Sequence, residues 1–414
     1  MLALTFDIHP IRWPLCKAAG RLTPRSFTSM LSGLRLTEVP TPALPSPRWV
    51  RLRTVLGGIC GTDLATLFYR NHPASFLRSL TSFPAVLGHE VVAVVDEVGE
   101  RVTRVAPGDR VCVEPALSCV PRDIEPVCAH CAAGQTALCE HFNGGTLPPG
   151  MMIGFNSFTG GSWAPSFVAH ESQLYRVPDA VDDETAVLVD PIACAVHAVL
   201  RRRPDDERVL ILGGGIIGTG VTAAIRALGS AATVVALVRH ERQAETARRY
   251  GANDVLVMPR AMATAERYDQ VARHVGGRRV DGLFGNHGMI GGFDLVYDCV
   301  GTGASLTDAM KFTRSRGTVV VAGTAQITRV DTTPLWFSEL QLIGCFGRQI
   351  ESYNGMSRHT FEVVFDLIQS GKLDLSGLLT HRFRLEDYKH ALAAHTARGK
   401  NGLIKAAFVP NASR

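Results

Sequence analysis

Hydrophobic positions change their spacing twice along this 414-residue chain. Between residues 48 and 114 they fall in short β-branched runs, RWVRLRTVL, VVAVVDEV and DRVCVEP, each closed by Gly, Pro or Asp. Runs of that length bounded by turn formers predict strands and a β-rich first half, and the opening segment MLALTFDIHPIRWPLC reads as one more strand. From 118 to 162 the pattern dissolves into Cys-, Pro- and Gly-rich sequence, which predicts a long irregular lobe in need of an external staple. From about residue 183 the period lengthens. DDETAVLVDPIACAVHAVLRR predicts helix, with Asp182 or Asp183 as its cap.

RVLILG, a glycine cluster, a helical stretch to Leu228, ATVVALV, another helix to Tyr250 and DVLVM then follow in turn. Strands alternating with helices of this size predict a doubly wound parallel sheet of the α/β class. FDLVYDCVG and GTVVVAG continue it, and LQLIGCFG closes it. Between them RRVDGLFGNHGMIGG has no clear period, so an inserted loop is expected around 276–292. The tail from Ser352 predicts two helices and a last strand, GLIKAAFV.

Composition narrows the class. Hydrophobic residues make up 46% and charged residues 20%, which excludes disorder as the main state. The 43 basic and 38 acidic residues are interspersed and leave a net charge of only +5, so no nucleic acid or anionic membrane is implied as a partner. No apolar run approaches the roughly 18 residues of a membrane span. The N-terminus lacks a basic segment followed by an apolar core, so no secretory leader is expected and a cytoplasmic location is. Ten cysteines in such a chain point to thiols or metal ligands before disulfides.

Three groups of residues carry candidate chemistry. The cluster Gly213-Gly214-Gly215-Ile216-Ile217-Gly218 satisfies G-x-G-x-x-G directly after a predicted strand and before a helix. There Gly213 permits the turn, Gly215 lets backbone approach a pyrophosphate, and Gly218 lets the helix pack on its strand, the helix N-terminus favouring the phosphate charge. Ile217 belongs to the same loop. Where an NAD site would carry a ribose-binding carboxylate about 20 residues on, this chain has Val238 followed by Arg239, His240 and Arg242. Basic groups at that strand end suit a 2′-phosphate, so NADP is expected over NAD.

Cys119, Cys128, Cys131 and Cys139 are spaced C-x8-C-x2-C-x7-C, and four thiolates in one irregular lobe suit a closed, structural zinc site. His130 and His141 lie close by as lesser candidates. Cys60, the run Gly88-His89-Glu90 and Asp190 make a third, mixed set of thiolate, imidazole and carboxylates, able to hold zinc with a position open for substrate.

Taken together, GGICGTD at 57–63, FPAVLGHEVVAVVDEVG at 83–99, PGDRVCVEP at 107–115, the four-cysteine lobe, DPIACAVHAV at 190–199, LGGGIIG at 212–218, DCVG and GTVVVAG resemble the zinc-dependent medium-chain alcohol dehydrogenase family. The likeness is strongest to its sorbitol and threonine dehydrogenase branches and runs from about residue 48 to near the C-terminus. It implies a GroES-like β-rich catalytic domain from residues 1–187 and 346–414 around a Rossmann domain at 188–345, with the site at the carboxyl ends of the parallel strands. By position it places Cys60 and His89 on the catalytic zinc, Glu90 on the adjacent glutamate that ligates directly or through water, Asp190 where relatives have Glu or Cys as the remaining ligand, and Thr62 on the hydroxyl that passes the substrate proton. It makes Asp63 a partner behind the zinc, and Val300 and Gly301 of the DCVG segment cofactor contacts.

The resemblance implies hydride transfer between an alcohol, or its aldehyde or ketone, and NAD(P), with zinc lowering the pKa of the alcohol oxygen. The competing readings are an NADPH-dependent carbonyl reductase and a non-catalytic zinc-stabilised dinucleotide sensor. A small-molecule partner and a homodimer or homotetramer are expected by analogy. The chain departs from the family in four places. Asp190 is one methylene shorter than the usual glutamate, and Ala65 stands where relatives have a relay histidine, leaving ribose hydroxyls, water or His72 to export the proton. The first cysteine spacing is x8 in place of x2, and the 276–292 insertion has no assigned role. Phe155, Trp163 and Trp336 are candidates for pocket walls.

Overall fold

A computed structural model of the chain describes residues 1–397 and 401–411 and divides into two units. The first unit holds residues 1–190, 348–369 and 374–414, and the second holds 191–347 with 370–373. The main crossovers thus fall between Asp190 and Pro191 and between Gly347 and Arg348.

In the first unit β1 (Leu2–Phe6) lies between β2 (Leu34–Glu38) and the two-residue β4 (Ala85–Val86). The expected opening strand therefore ends at Phe6, and the residues beyond it form α1 (Arg12–Gly20). The main sheet is built on β3 (Trp49–Gly58), β5 (Val91–Val98), β6 (Arg110–Val113), β7 (Ser166–His170) and β8 (Leu174–Arg176), joined by the late strands β19 (Leu379–Phe383) and β20 (Lys405–Phe408). Its order is β19–β20–β3–β5–β6–β8, with β7 also paired to β3. Alternation explains the packing. Val50 and Leu52 of β3 point inward with Val91, Ala93, Val95, Val111 and Val113. A hairpin of β17 (Ile350–Tyr353) and β18 (Met356–His359), unforeseen in the sequence, precedes the last helices.

Helix α2 (Gly61–Leu67) follows β3 and buries Leu64 and Leu67 among Leu4, Phe6, Ile59, Trp163 and Phe408. In the lobe, α3 (Ala129–Ala132) is flanked by 3₁₀ turns at Val120–Arg122 and Thr136–Leu138. The stretch expected as one helix from Asp183 breaks after Ala186 into α4 (Asp183–Ala186) and α5 (Val189–Arg201), the first capped by Asp182, which accepts the Thr185 amide at 2.7 Å.

The second unit carries a six-stranded parallel sheet. Its strands are β9 (Arg208–Leu212), β10 (Thr233–Val238), β11 (Asp254–Val257), β14 (Phe293–Asp298), β15 (Thr313–Val321) and β16 (Gln341–Gly344), in the order β11–β10–β9–β14–β15–β16. Helices α6 (Ile216–Ala227), α7 (Glu241–Arg249) and α8 (Thr264–Val275) connect the first strands. This is the doubly wound arrangement expected from the alternating pattern.

The segment expected as an irregular loop is instead a hairpin of β12 (Arg278–Asp281) and β13 (His287–Ile290). Its glycines and charges hide the alternation. Pairing is fixed by contacts the local sequence does not display, Arg279 to Asp269 of α8 at 2.8 Å and His287 to Asp281 at 2.8 Å. Among the described residues no helix is long and apolar enough to cross a membrane.

Candidate functional site

Cys60 occupies the N-cap of α2 with extended backbone (φ −87°), so its sulfur faces the helix start and accepts the Thr62 amide at 3.5 Å. Asp63, three residues on, returns a carboxylate oxygen to the Cys60 amide at 2.9 Å and closes a capping box. This fixes the cysteine before any ligand arrives. The other Asp63 oxygen lies 3.4 Å from Nδ1 of His89, and both side chains are almost wholly buried. His89 is presented by Gly88, whose φ of +94° suits glycine, and a side chain there would run into Trp163.

One ligand atom each from Cys60, His89 and Glu90 lies within 4.8 Å of the others. Burial opposes protonation of His89, yet the Asp63 carboxylate and the Cys60 sulfur hold its imidazole well above the ordinary pKa. The cluster therefore attracts positive charge. A soft thiolate, an imidazole and a carboxylate fit zinc, and a carboxylate behind the histidine is the usual device for orienting such a ring. Glu90 also forms a buried ion pair with Lys405 of β20, which sequence reasoning missed. The signal was present, because a single lysine inside the apolar run GLIKAAFV requires a buried partner. Phe155 packs 5.8 Å from the His89 ring, whereas Trp163 is fully buried and donates to the Gly58 carbonyl, and Trp336 is 81% exposed.

Asp190 is not brought to this set. Its carboxylate pairs with the Arg348 guanidinium, which also reaches Glu114 at 3.5 Å, and all three side chains are buried. Asp190 was expected on the catalytic metal, and here its carboxylate is engaged by Arg348, outside the group of Cys60, His89 and Glu90. The short side chain is held by a cation from a distant segment that its local sequence gave no reason to expect. Thr62 is half-buried at the second position of α2. Ala65 is buried, and His72 is exposed, with Nδ1 accepting the Ala74 amide at 3.1 Å.

The four lobe cysteines converge within the same limit of 4.8 Å, with the Cys119 and Cys139 sulfurs 3.6 Å apart. The Cys128 and His141 amides donate to the Cys119 and Cys139 sulfurs at 3.4 and 3.3 Å. Burial raises the Cys128 thiol, but amide donors outweigh it and bring the pKa down to about 6, while burial pushes Cys131 up to about 11 and Cys139 higher still. Four sulfurs so close cannot all ionise without a cation among them, which fits a closed zinc site. His130 bonds instead to Gln135 at 2.8 Å. The long x8 insertion brings in Arg122, wholly buried, whose guanidinium donates to the carbonyls of Leu117, Gly144, Leu147, Pro148 and Gly150. One side chain thus ties together the loop that the extra residues create.

In the second unit the glycine turn joins β9 to α6, with Gly215 at the N-cap and no side chain capping the helix amides. A Cβ on Gly218 would stand 1.8 Å from the Gly213 carbonyl oxygen, so this close approach demands glycine. Open amides at a helix N-terminus suit a phosphate. Ile217 is half-buried in the first turn. Val238 is buried at the end of β10, while Arg239, His240 and Arg242 are exposed, and the Arg239 amide donates to Gln243 at 3.0 Å. The Val300 and Gly301 amides are both taken by Asp298, at 3.0 and 3.2 Å, which leaves the exposed Val300 side chain for contact.

A β-rich unit carrying one mixed cluster of Cys60, His89 and Glu90 and one of four cysteines, joined in one chain to a glycine-turn parallel sheet, has the make-up of a zinc-binding dehydrogenase. The family models agree. The alcohol dehydrogenase GroES-like domain matches residues 46–179 and the zinc-binding dehydrogenase domain matches 217–369. L-idonate 5-dehydrogenase of Vitis vinifera is 30% identical over 384 residues, covering 91% of this chain and 93% of that one. L-threonine 3-dehydrogenase of Anaeromyxobacter sp. (strain K) is 30% identical over 368 residues, covering 89% and 93%. Among solved structures, the fold matches 2R,3R-butanediol dehydrogenase of Bacillus subtilis with a TM-score of 0.68 at 22% identity, covering 91% and 96%. The chain belongs to the zinc-dependent medium-chain dehydrogenase family, in its sorbitol, idonate and threonine dehydrogenase branch. It is an NAD(P)-dependent alcohol dehydrogenase acting on a small-molecule alcohol.

Proposed function

We propose that Cys60, His89 and Glu90 hold the catalytic zinc, that the four lobe cysteines hold a structural one, and that NADP is the preferred cofactor. The convergence of the three ligand atoms, with Asp63 locked behind both Cys60 and His89, carries the reading. Zinc, when bound, supplies a Lewis acid that favours the deprotonated form of a substrate alcohol, and the nicotinamide accepts the hydride. The chain's own groups do the rest. The Asp63 carboxylate stands 3.4 Å from the Nδ1 edge of His89, Lys405 balances the Glu90 charge, and the Thr62 hydroxyl receives the substrate proton. Ala65 offers no proton relay at its position, so the chain itself supplies no histidine there to carry the proton onward from Thr62.

Relatives at 30% identity are an L-idonate 5-dehydrogenase and an L-threonine 3-dehydrogenase, which supports a small hydroxy acid, polyol or hydroxy amino acid as the substrate class. The exposed Arg239 and Arg242 beside buried Val238 support NADP, since a guanidinium fork suits a 2′-phosphate and no carboxylate opposes it. Assembly into a homodimer or homotetramer and a cytoplasmic location complete the reading. A cofactor-depletion screen of such alcohols with NADP and with NAD tests it. Turnover of at least one secondary alcohol, at least tenfold more efficient with NADP, is expected. Full turnover after Cys60→Ala would overturn the zinc assignment, and a tenfold preference for NAD would overturn the cofactor assignment.

A further inference from the structure

The first unit contains a cavity of about 170 Å³ that the dehydrogenase reading does not use, lined in part by Asp7, His9, Arg12, Ser32, Arg35 and Tyr69. It exists because the chain makes an excursion between two paired strands. Phe6 of β1 and Leu34 of β2 are direct partners, yet residues 7–33 intervene, where a short hairpin turn would have joined them. The excursion is fastened to the end of α2. Trp13 packs on Tyr69 at 5.9 Å, and Phe27 packs on Phe68 at 5.2 Å and on Tyr69 at 6.1 Å. Its composition is one-sided. Arg12, Lys17, Arg21 and Arg25 face a single acidic residue, Asp7, in a chain whose whole net charge is +5.

The cavity is lined by hydroxyls and by cations. Ser32 and Tyr69 are buried, the Tyr69 hydroxyl accepting the Gly33 amide at 3.0 Å. Burial raises the Tyr69 pKa and keeps it a neutral donor. Arg35 is fixed by the carbonyls of Ser32 at 2.5 Å, Met30 at 2.6 Å and Leu34 at 2.7 Å, so its charge has no carboxylate partner among the described residues. At the mouth, Nδ1 of His9 accepts the Ile11 amide at 3.2 Å, which leaves Nε2 to donate. The exposed Arg12 side chain carries no ion pair among the described residues. Asp7 is the one opposing charge, and one of its oxygens accepts the Ile8 amide at 2.7 Å.

We propose that this cavity is a binding site for a small oxyanion of the phosphate type, free or as the monoester of a small hydroxylated molecule. Arg12 and Arg35 supply charge, His9, Ser32 and Tyr69 supply donors, and Asp7 accepts a hydroxyl of the ester where there is one. The site lies at the opposite end of α2 from Cys60 and stands independently of the catalytic assignment.

Isothermal titration of the full zinc-loaded chain with inorganic phosphate and with glycerol 3-phosphate, at constant ionic strength, tests the proposal. Saturable binding is expected. Arg12→Gln should weaken it about tenfold, the loss of one charge-assisted contact, without disturbing the fold, since the Arg12 side chain makes no ion pair to lose. Arg21→Gln removes the same charge from the same excursion away from the cavity and should leave the affinity unchanged. Stronger binding of glycerol 3-phosphate assigns the ester, and stronger binding of inorganic phosphate assigns the free ion. An affinity untouched by Arg12→Gln, an equal loss in Arg21→Gln, a loss in Arg239→Gln in place of Arg12→Gln, or no saturable binding would each overturn the proposal.

Discussion

Cys119, Cys128, Cys131 and Cys139 come from one short stretch of chain, whereas Cys60, His89 and Glu90 come from the start of α2 and the turn before β5, with Lys405 reaching them from β20. The lobe offers four like ligands, whose sulfurs accept backbone amides and, in the proposed reading, a zinc ion. The other cluster mixes sulfur, imidazole and carboxylate, and its charges are balanced inside the protein by Asp63 and Lys405. Removing the metal thus has different consequences in the two places. The lobe has a small core built on Ala116, Phe142 and the cysteines, with Arg122 tying its loop, so zinc bound there is expected to contribute to its order. The cluster of Cys60, His89 and Glu90 sits at the start of α2 and just before β5, elements that pack in the cores of Leu4, Phe6, Trp163 and Phe408 and of Val50, Leu52 and Val91, so its shape is expected to depend less on a metal.

The largest expected effect follows from that contrast. Cys128→Ser should remove about one zinc per chain and lower the melting temperature by on the order of 10 °C, as several kcal/mol of folding energy are lost. Metal analysis beside calorimetry checks both.

Next comes Lys405→Met, which leaves Glu90 buried and unpaired. In metal-free protein this should cost about 3–5 kcal/mol. The cost should shrink in zinc-loaded protein, because the ion supplies the missing countercharge, and denaturant titrations of the two forms compare them. An equal loss in both would show that Glu90 does not face the metal.

Smaller again is Asp190→Asn. With Asp190 paired to Arg348, the change should lower stability by about 1–3 kcal/mol and leave zinc content unchanged. Lost zinc would restore Asp190 as a ligand. The smallest effect concerns the cofactor. Val238→Asp with Arg239→Ala should move the ratio of kcat/KM values towards NAD by about tenfold or more, the worth of one charge-assisted contact.

The comparison also explains what was legible in the sequence. The lobe could be read from spacing, because x2 between Cys128 and Cys131 is a local geometric fact. The glycine turn was equally plain, since strand, turn and helix are contiguous. Cys60, His89 and Glu90 needed the family resemblance, because no local pattern joins a helix cap to a turn some thirty residues away in the numbering. The ion pairs Glu90–Lys405 and Asp190–Arg348 were missed, as were the β12–β13 and β17–β18 hairpins. Each depends on partners brought together by tertiary packing, and single charges in apolar or glycine-rich surroundings were its only trace.

In the proposed reading the chain holds two zinc ions in chemically different sites, one serving turnover and the other serving the fold. A time course of zinc release to an excess of chelator, followed together with activity and with the unfolding signal, tests it most directly. Two zinc ions per chain should leave in two phases. The first should carry away activity with the fold intact, and the second should coincide with loss of the lobe's structure. A single zinc per chain, or one phase in which activity and fold vanish together, would contradict it.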